Sequence, residues 1–176
     1  MRFGLNFFPT VGPDEKSAAQ FYDECLDLGE EADGLGYSCI KIVEHYFRPY
    51  GGYSPDPVTF LSAAAQRTTR IRLITGAVLP AFNHPIKLAG KLAMLDNLSH
   101  GRLDVGFARA FLPEEFDAFE VSMDESRPRF DHSRQLGHPL FRETRCLVLP
   151  AAAIMYTSKP YWCSQGWLRY GAVQAT

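Results

Sequence analysis

The stretch Leu95–Arg109, LDNLSHGRLDVGFAR, constrains this chain more than any other. Leu95 and Leu98 close an apolar helical face, Gly101 can take positive φ just past a helix end, and Leu103, Val105 and Phe107 then alternate with period two. A switch from helical to two-residue periodicity marks a helix-to-strand connection. Arg109 falls at the far end of that strand, at the carboxyl edge of the sheet the strand joins. Ligands of α/β proteins bind at that edge.

The same alternation runs through the residues before it. Met1–Phe8 reads as a short apolar strand that exits at Pro9, Gly12 and Pro13. From Ser17 onward, Phe21, Cys25, Leu28, Ala32 and Leu35 share one helical face, Asp23, Asp27, Glu30 and Glu31 the other, and Gly34 and Gly36 end the helix. Ser38–Val43 is a second strand, which delivers Glu44-His45-Tyr46-Phe47 at its end. After a loop rich in Tyr, Gly and Pro, Asp56 caps and Pro57 opens a helix with the stripe Phe60, Leu61, Ala64 and Ala65. Ile71–Leu79 is a third strand, and Pro85 opens a third helix faced by Leu88, Leu92 and Leu95. Four strands alternating with three helices make β-α-β units, and therefore a parallel sheet. Periodicity leaves open whether that sheet is doubly wound or part of an eight-stranded barrel.

A chain of 176 residues, 46% hydrophobic, is long enough for one domain with a core. Its net charge of -2 gives no reason to expect nucleic acid or an anionic membrane as partner, since both call for a basic face. The longest apolar run, Leu147–Met155, is too short to cross a bilayer and carries Pro150. The start of the chain lacks a basic segment followed by an apolar one, so a cytoplasmic protein is expected. Cys25, Cys39, Cys146 and Cys163 lie far apart with no histidine at ligand spacing, which predicts reduced, packed thiols and no metal. Nucleophile-elbow, phosphate-loop and His-Glu-x-x-His motifs are missing from the sequence.

Four features in order resemble the bacterial luciferase-like flavin-dependent monooxygenases. They are the Met1-Arg2-Phe3-Gly4 start, Glu44-His45-Tyr46-Phe47, His84-Pro85 opening a helix, and Leu95-Asp96-Asn97-Leu98-Ser99-His100-Gly101-Arg102-Leu103 followed by Gly106 and Arg109. The resemblance covers residues 1 to about 130. It implies an α/β fold of (β/α)8 TIM-barrel type, here an incomplete N-terminal half-barrel, with reduced FMN, or in some branches a deazaflavin, at the carboxyl ends of the strands. Residues 131–176 differ in kind. Arg134, Arg142, Arg145, Lys159 and Arg169 outnumber Asp131 and Glu143 there, and Trp162 and Trp167 are the chain's only tryptophans. A divergent tail produced by a lost reading frame near Asp131 is the expectation.

The resemblance also assigns roles. His45 matches the family's active-site histidine, which passes a proton near neutrality; its structural alternative is a hydrogen-bonded strand-end histidine. Arg109 would grip the flavin phosphate, the alternative being an ion pair with Glu114 or Glu115. Gly76 and Ala77 lie where the family has a non-proline cis peptide beneath the flavin ring, and Phe7 faces that pocket or serves as a core aromatic. Glu44 is expected to orient His45 or pair with a base, His84 to cap its helix, and Asp96 and Arg102 to stabilise turns and helix ends.

The implied activity is oxygenation of a small organic substrate by reduced FMN and dioxygen, with a separate flavin reductase as partner. The resemblance also implies pairing through early helices, here the acidic-faced one from Ser17 to Leu35 and the one beginning at Pro57, which makes a homodimer the expectation. A deazaflavin-dependent hydride-transfer enzyme is one rival. The other is an inactive half-barrel that only self-associates through unpaired strand edges and an uncovered apolar inner face.

Overall fold

Two of the long helices begin where a side chain accepts from the free N–H groups of the first turn, and a third where proline removes one of them. Ser17 Oγ accepts from Gln20 N at 3.2 Å to start α1 (Ala18–Gly34), and Asp56 accepts from Val58 N and Thr59 N to start α2 (Pro57–Arg67). Pro85 opens α3 (Pro85–Leu98). The His84 side chain makes no cap there, so the expected cap is absent; proline has no N–H to satisfy at that position. These helices alternate with β1 (Gly4–Phe7), β2 (Cys39–Ile42), β3 (Arg72–Val78) and β4 (Leu103–Phe107). The computed structural model describes residues 3–140, 145–149 and 154–158, with the side chains of residues 3–133. Cys163, Trp162, Trp167, Lys159 and Arg169 lie outside the described residues, as do the side chains of Cys146, Arg134 and Arg145.

β1 to β4 are neighbours in sequence order and all parallel, as the alternation predicts. Asn6 stands opposite Lys41, Lys41 opposite Ile74, and Ile74 opposite Asp104. Leu5, Phe7, Ile40, Ile42, Leu73, Leu103, Val105 and Phe107 point to the helices, where they join Phe60, Leu61, Leu88, Leu92 and Leu95 in one core. Burying each of the larger side chains stabilises the fold by about 1.5–3 kcal/mol. Strand alternation therefore turns Asn6, Cys39, Lys41, Arg72, Ile74 and Asp104 to the other, inner face. The expected apolar inner face is corrected: it is largely polar, and Arg72 holds Asp104 through Nε and, at 2.6 Å, through Nη2.

The register slips between Thr75 and Val78, where the Gly76–Ala77 peptide is cis. Thr75 Oγ1 fills the gap in the ladder, donating to Gly106 O at 3.0 Å and accepting from Gly106 N at 2.8 Å. A bulge leaves such groups without main-chain partners, and the hydroxyl serves both.

At the amino end of the sheet two buried charges hold one loop from opposite sides. The Asp33 carboxylate accepts from Thr69 N, Arg70 N and Ile71 N at 2.7–3.1 Å. The Arg102 guanidinium donates to the carbonyls of Ala65, Thr68, Ile71 and Ser99 and to Thr68 Oγ1 at 2.8–3.0 Å. Arg102 thus satisfies carbonyls that end α2, as a cation at a helix C-terminus should. On α1 the inward face is corrected accordingly. Leu28 and Leu35 are exposed, while Cys25, Gly29, Ala32 and Asp33 are buried, because the helix turns its carboxylate toward that loop. Leu98 is likewise exposed, whereas Gly101 does take positive φ (79°).

After β4 come α4 (Pro113–Ala118) and α5 (Ser126–Leu140), then β5 (Arg145–Leu149) and β6 (Ile154–Ser158). α5 crosses the boundary expected at residue 130. It starts where Ser126 Oγ donates to Ala110 O at 3.1 Å, and it buries Phe130 in the core. β6 pairs antiparallel with β4, and β5 with β6, so the sheet does not continue with a fifth parallel strand. Among the described residues no helix is long and apolar enough to cross a membrane, and Cys25 and Cys39 are free thiols.

Asp33→Ala leaves three loop N–H groups unpaired and is expected to lower unfolding stability by about 3 kcal/mol, read from the urea midpoint. Burial pushes the Asp33 carboxyl up, but the hydrogen bonds from Thr69, Ile71 and Arg70 outweigh it and hold the group below its ordinary value of 3.8. Its contribution is therefore present above pH 3.8 and lost as pH falls through the lower folded value, a loss the variant should not show.

Candidate active site at the carboxyl rim

β2 ends at Ile42, and the next three residues carry the chain over the rim to His45. His45 N donates to Ser54 O at 3.1 Å, which folds the loop between them back beneath the ring. Gly51 makes that possible. Its φ is 71°, and a Cβ there would come within 2.6–3.0 Å of the His45 side chain.

The His45 ring is buried, with Nδ1 3.0 Å from Glu115 Oε1. The same oxygen accepts from Tyr46 N at 2.9 Å. A neutral imidazole beside a carboxylate donates from Nδ1 and leaves Nε2 free as an acceptor. Phe8, Tyr50 and Phe111 surround the ring at centroid distances of 6.2, 5.1 and 5.9 Å. Glu115 reaches His45 because Pro113 opens α4 just past β4, with Glu114 and Glu115 in its first turn, where carboxylates suit the helix N-terminus. Glu115 Oε2 is buried without a hydrogen-bond partner among the described residues.

Glu44 does not orient His45; that expectation is corrected. Its carboxyl accepts from Tyr46 Oη at 2.7 Å, Leu79 N at 2.8 Å and Asn83 Nδ2 at 3.2 Å, on the opposite side of the rim. The Glu44 carboxyl thus faces the segment after β3, whereas the His45 ring faces Glu115. Burial pushes the Glu44 carboxyl up to about 7, against the pull of its three donors.

Gly76 and Ala77 lie buried at the carboxyl end of β3. Arg109, two residues past β4, is exposed and makes no hydrogen bond or ion pair with any described residue. The alternative of an ion pair fails for a simple reason: Glu114 pairs with Arg48 at 2.7 Å and Glu115 with His45. Phe7 takes its core role. It meets Phe60 edge-on at 5.7 Å on the helix side, and alternation sends Phe8 to the His45 side instead. His45, Gly76, Ala77 and Arg109 therefore stand past or near the ends of three adjacent parallel strands, while Phe7 belongs to the layer beneath.

A cavity of about 420 Å³ adjoins the rim on the Glu44 side, where Asn83 both lines it and donates to Glu44. Phe82, His84, Phe119, Arg129 and His132 help to line it, and none of His45, Glu115, Gly76 or Arg109 does. Among the described residues no cluster of His, Cys, Asp or Glu could hold a metal. Sequence reasoning missed Phe8 and the role of Glu115. The helix-opening Pro113 followed by two acids was a legible signal, but pairing across 70 residues was not.

In the neutral form, ¹⁵N NMR should find the His45 proton on Nδ1; Glu115→Leu should remove that preference, and an unchanged spectrum would show that Glu115 does not set it. Glu44 titrates upward on folding, so stability should fall as pH rises from about 4.5 to about 7 and then level off. Glu44→Gln should flatten that slope in urea unfolding measured at several pH values.

Residues 1–149 match the family model described as luciferase-like monooxygenase. The flavin-dependent trigonelline monooxygenase oxygenase component of Acinetobacter baylyi is 38% identical over 124 residues, covering 70% of this chain and 34% of the relative. The crystal structure of monooxygenase RslO1 from Streptomyces bottropensis superposes with a TM-score of 0.79 at 63% identity, covering 90% of this chain and 48% of that one. The oxygenating constituent of 3,6-diketocamphane monooxygenase from Pseudomonas putida, solved with FMN, shares the fold at 23% identity, with a TM-score of 0.74 over 97% of this chain and 47% of its own. The chain thus spans about a third of the length of the curated relatives and about half that of the solved ones. With the parallel sheet and the family match over most of its length, this chain belongs to the luciferase-like monooxygenase family and carries part of its TIM-barrel fold.

Proposed function

We propose that this chain forms the flavin-holding part of an oxidoreductase that oxygenates a small organic substrate with reduced FMN and dioxygen. The observation that carries the reading is one rim shared by an oriented imidazole, a guanidinium with no partner among the described residues and a stretch of small-residue backbone. Reduced flavin, when bound, supplies the electrons that activate dioxygen. The residues fit such a group: Gly76 and Ala77 offer backbone without bulk to a planar ring, and Arg109 offers a fork of donors to a phosphate. His45 holds or releases a proton at Nε2, Glu115 keeps the ring turned, and Phe8, Tyr50 and Phe111 keep water from it.

FMN is favoured over a deazaflavin because the trigonelline relative is described as flavin-dependent. Its description as an oxygenase component supports a separate flavin reductase as the partner that delivers reduced flavin. A homodimer through the early helices α1 and α2 is part of the same reading, supported by Leu28, an apolar side chain that α1 leaves exposed. The divergence of residues 131–176 through a lost reading frame is supported by the reversed charge balance and by the antiparallel β5 and β6. Sequencing the locus tests it: an intact second half-barrel in the shifted frame is the expected result, and its absence refutes the idea.

Fluorescence titration with FMN and with riboflavin, which lacks the phosphate, tests the site. Arg109→Ala should weaken FMN binding about tenfold or more and leave riboflavin binding unchanged. Equal effects on both ligands would contradict the phosphate role. In sedimentation velocity, Leu28→Glu should convert dimer to monomer, and an unaltered distribution would place the contact elsewhere.

A further inference from the structure

Lys41 lies at the middle of the inner face, in register with Asn6 on one side and Ile74 on the other. Its side chain climbs toward the rim. A Cβ added at Gly76 would collide with Lys41 Cγ, Cδ and Cε, so the lysine stem runs across Gly76, two residues above its own register on β3. The ammonium group is thereby carried up to the level of the Gly76–Ala77 peptide. Gly76 is needed here for close approach, because any side chain would displace that stem.

No described residue neutralises this cation. Arg72 takes both oxygens of Asp104, the acid of the same inner layer. Glu44 is occupied by Tyr46, Leu79 and Asn83, and Glu115, whose Oε1 serves both His45 and the Tyr46 amide, makes its ion pair with His45 and none with Lys41. Asn6 is neutral, and burial pushes the Cys39 thiol up, with Asp104 adding to the effect, so it does not supply a thiolate. A half-buried ammonium left without a partner at the wall of a cleft stabilises an anion brought beside it, and more strongly than the same charge on an open surface.

We propose that Lys41 is a cofactor-contacting residue that favours the reduced, anionic form of the flavin ring over the oxidised, neutral form. The inference rests on the flavin reading given above. Arg109 and Lys41 then divide the work. The guanidinium at the end of β4 answers the phosphate, whose charge does not change with redox state, and the ammonium beside Gly76 answers the ring, whose charge does. A fully reduced flavin that has lost its N1 proton carries one negative charge, so binding it beside Lys41 raises the two-electron potential of the bound ring.

The test measures dissociation constants of the 176-residue chain for oxidised and for dithionite-reduced FMN under anaerobic conditions, together with the potential of the bound flavin. Lys41→Met should weaken reduced FMN about tenfold and change oxidised FMN less than twofold, which lowers the bound potential by about 30 mV. Lys41→Arg keeps the charge and should hold both constants within twofold of the unaltered chain. If Lys41→Met weakens both redox forms equally, or neither, while the unaltered chain binds FMN, the role of Lys41 is overturned and the flavin reading stands. Failure of the unaltered chain to bind either form overturns both together.

Discussion

Parallel hydrogen bonding of β1 to β4 is the constraint on which everything else depends. Because each strand starts at the same edge, each also ends at the same edge, and the residues that follow the strands must meet there. His45 follows β2, Gly76 and Ala77 close β3, and Arg109 follows β4. The opposite edge is built differently. It carries the Asp33 and Arg102 clamp on residues 68–71, which is built of backbone hydrogen bonds. One end of the sheet thus holds the fold together, and the other gathers the residues on which the proposed flavin site rests.

Two buried acids at the rim show how position sets the chemistry of one residue type. Glu44 collects three donors from its own side of the sheet and anchors the segment after β3, and burial still pushes its carboxyl up to about 7. Glu115 faces the other way and spends one oxygen on the His45 ring and on the Tyr46 amide together. That shared oxygen ties the loop after β4 to the loop after β2. Movement of either loop would release the imidazole, so the orientation of His45 is a tertiary property rather than a local one.

Much of this was legible in the sequence. Period and punctuation located all four parallel strands and three helices, with Asp56-Pro57 and Pro85 marking two starts and Gly101 one end. The site residues came from motif resemblance, and the strand ends explain why those positions converge. What failed has physical reasons. The helical wheel of α1 counted Leu28 and Leu35 as inward because they are apolar, yet the face is set by the Asp33 carboxylate reaching three amides. Glu44 was matched to His45 because they are adjacent, although their side chains meet different partners. Glu115 and Lys41 were invisible because their partners lie 70 and 35 residues away, in contacts that exist only after the sheet has formed.

The central claim is that one ligand cleft lies on the rim between His45, Gly76 and Arg109. Intermolecular NOE spectroscopy on the FMN-loaded chain measures this directly. The account predicts cross-peaks from the flavin ring protons to the His45 ring and the Gly76 α protons. Cross-peaks confined instead to Phe82, Phe119 and His132, which line the neighbouring cavity, would contradict it.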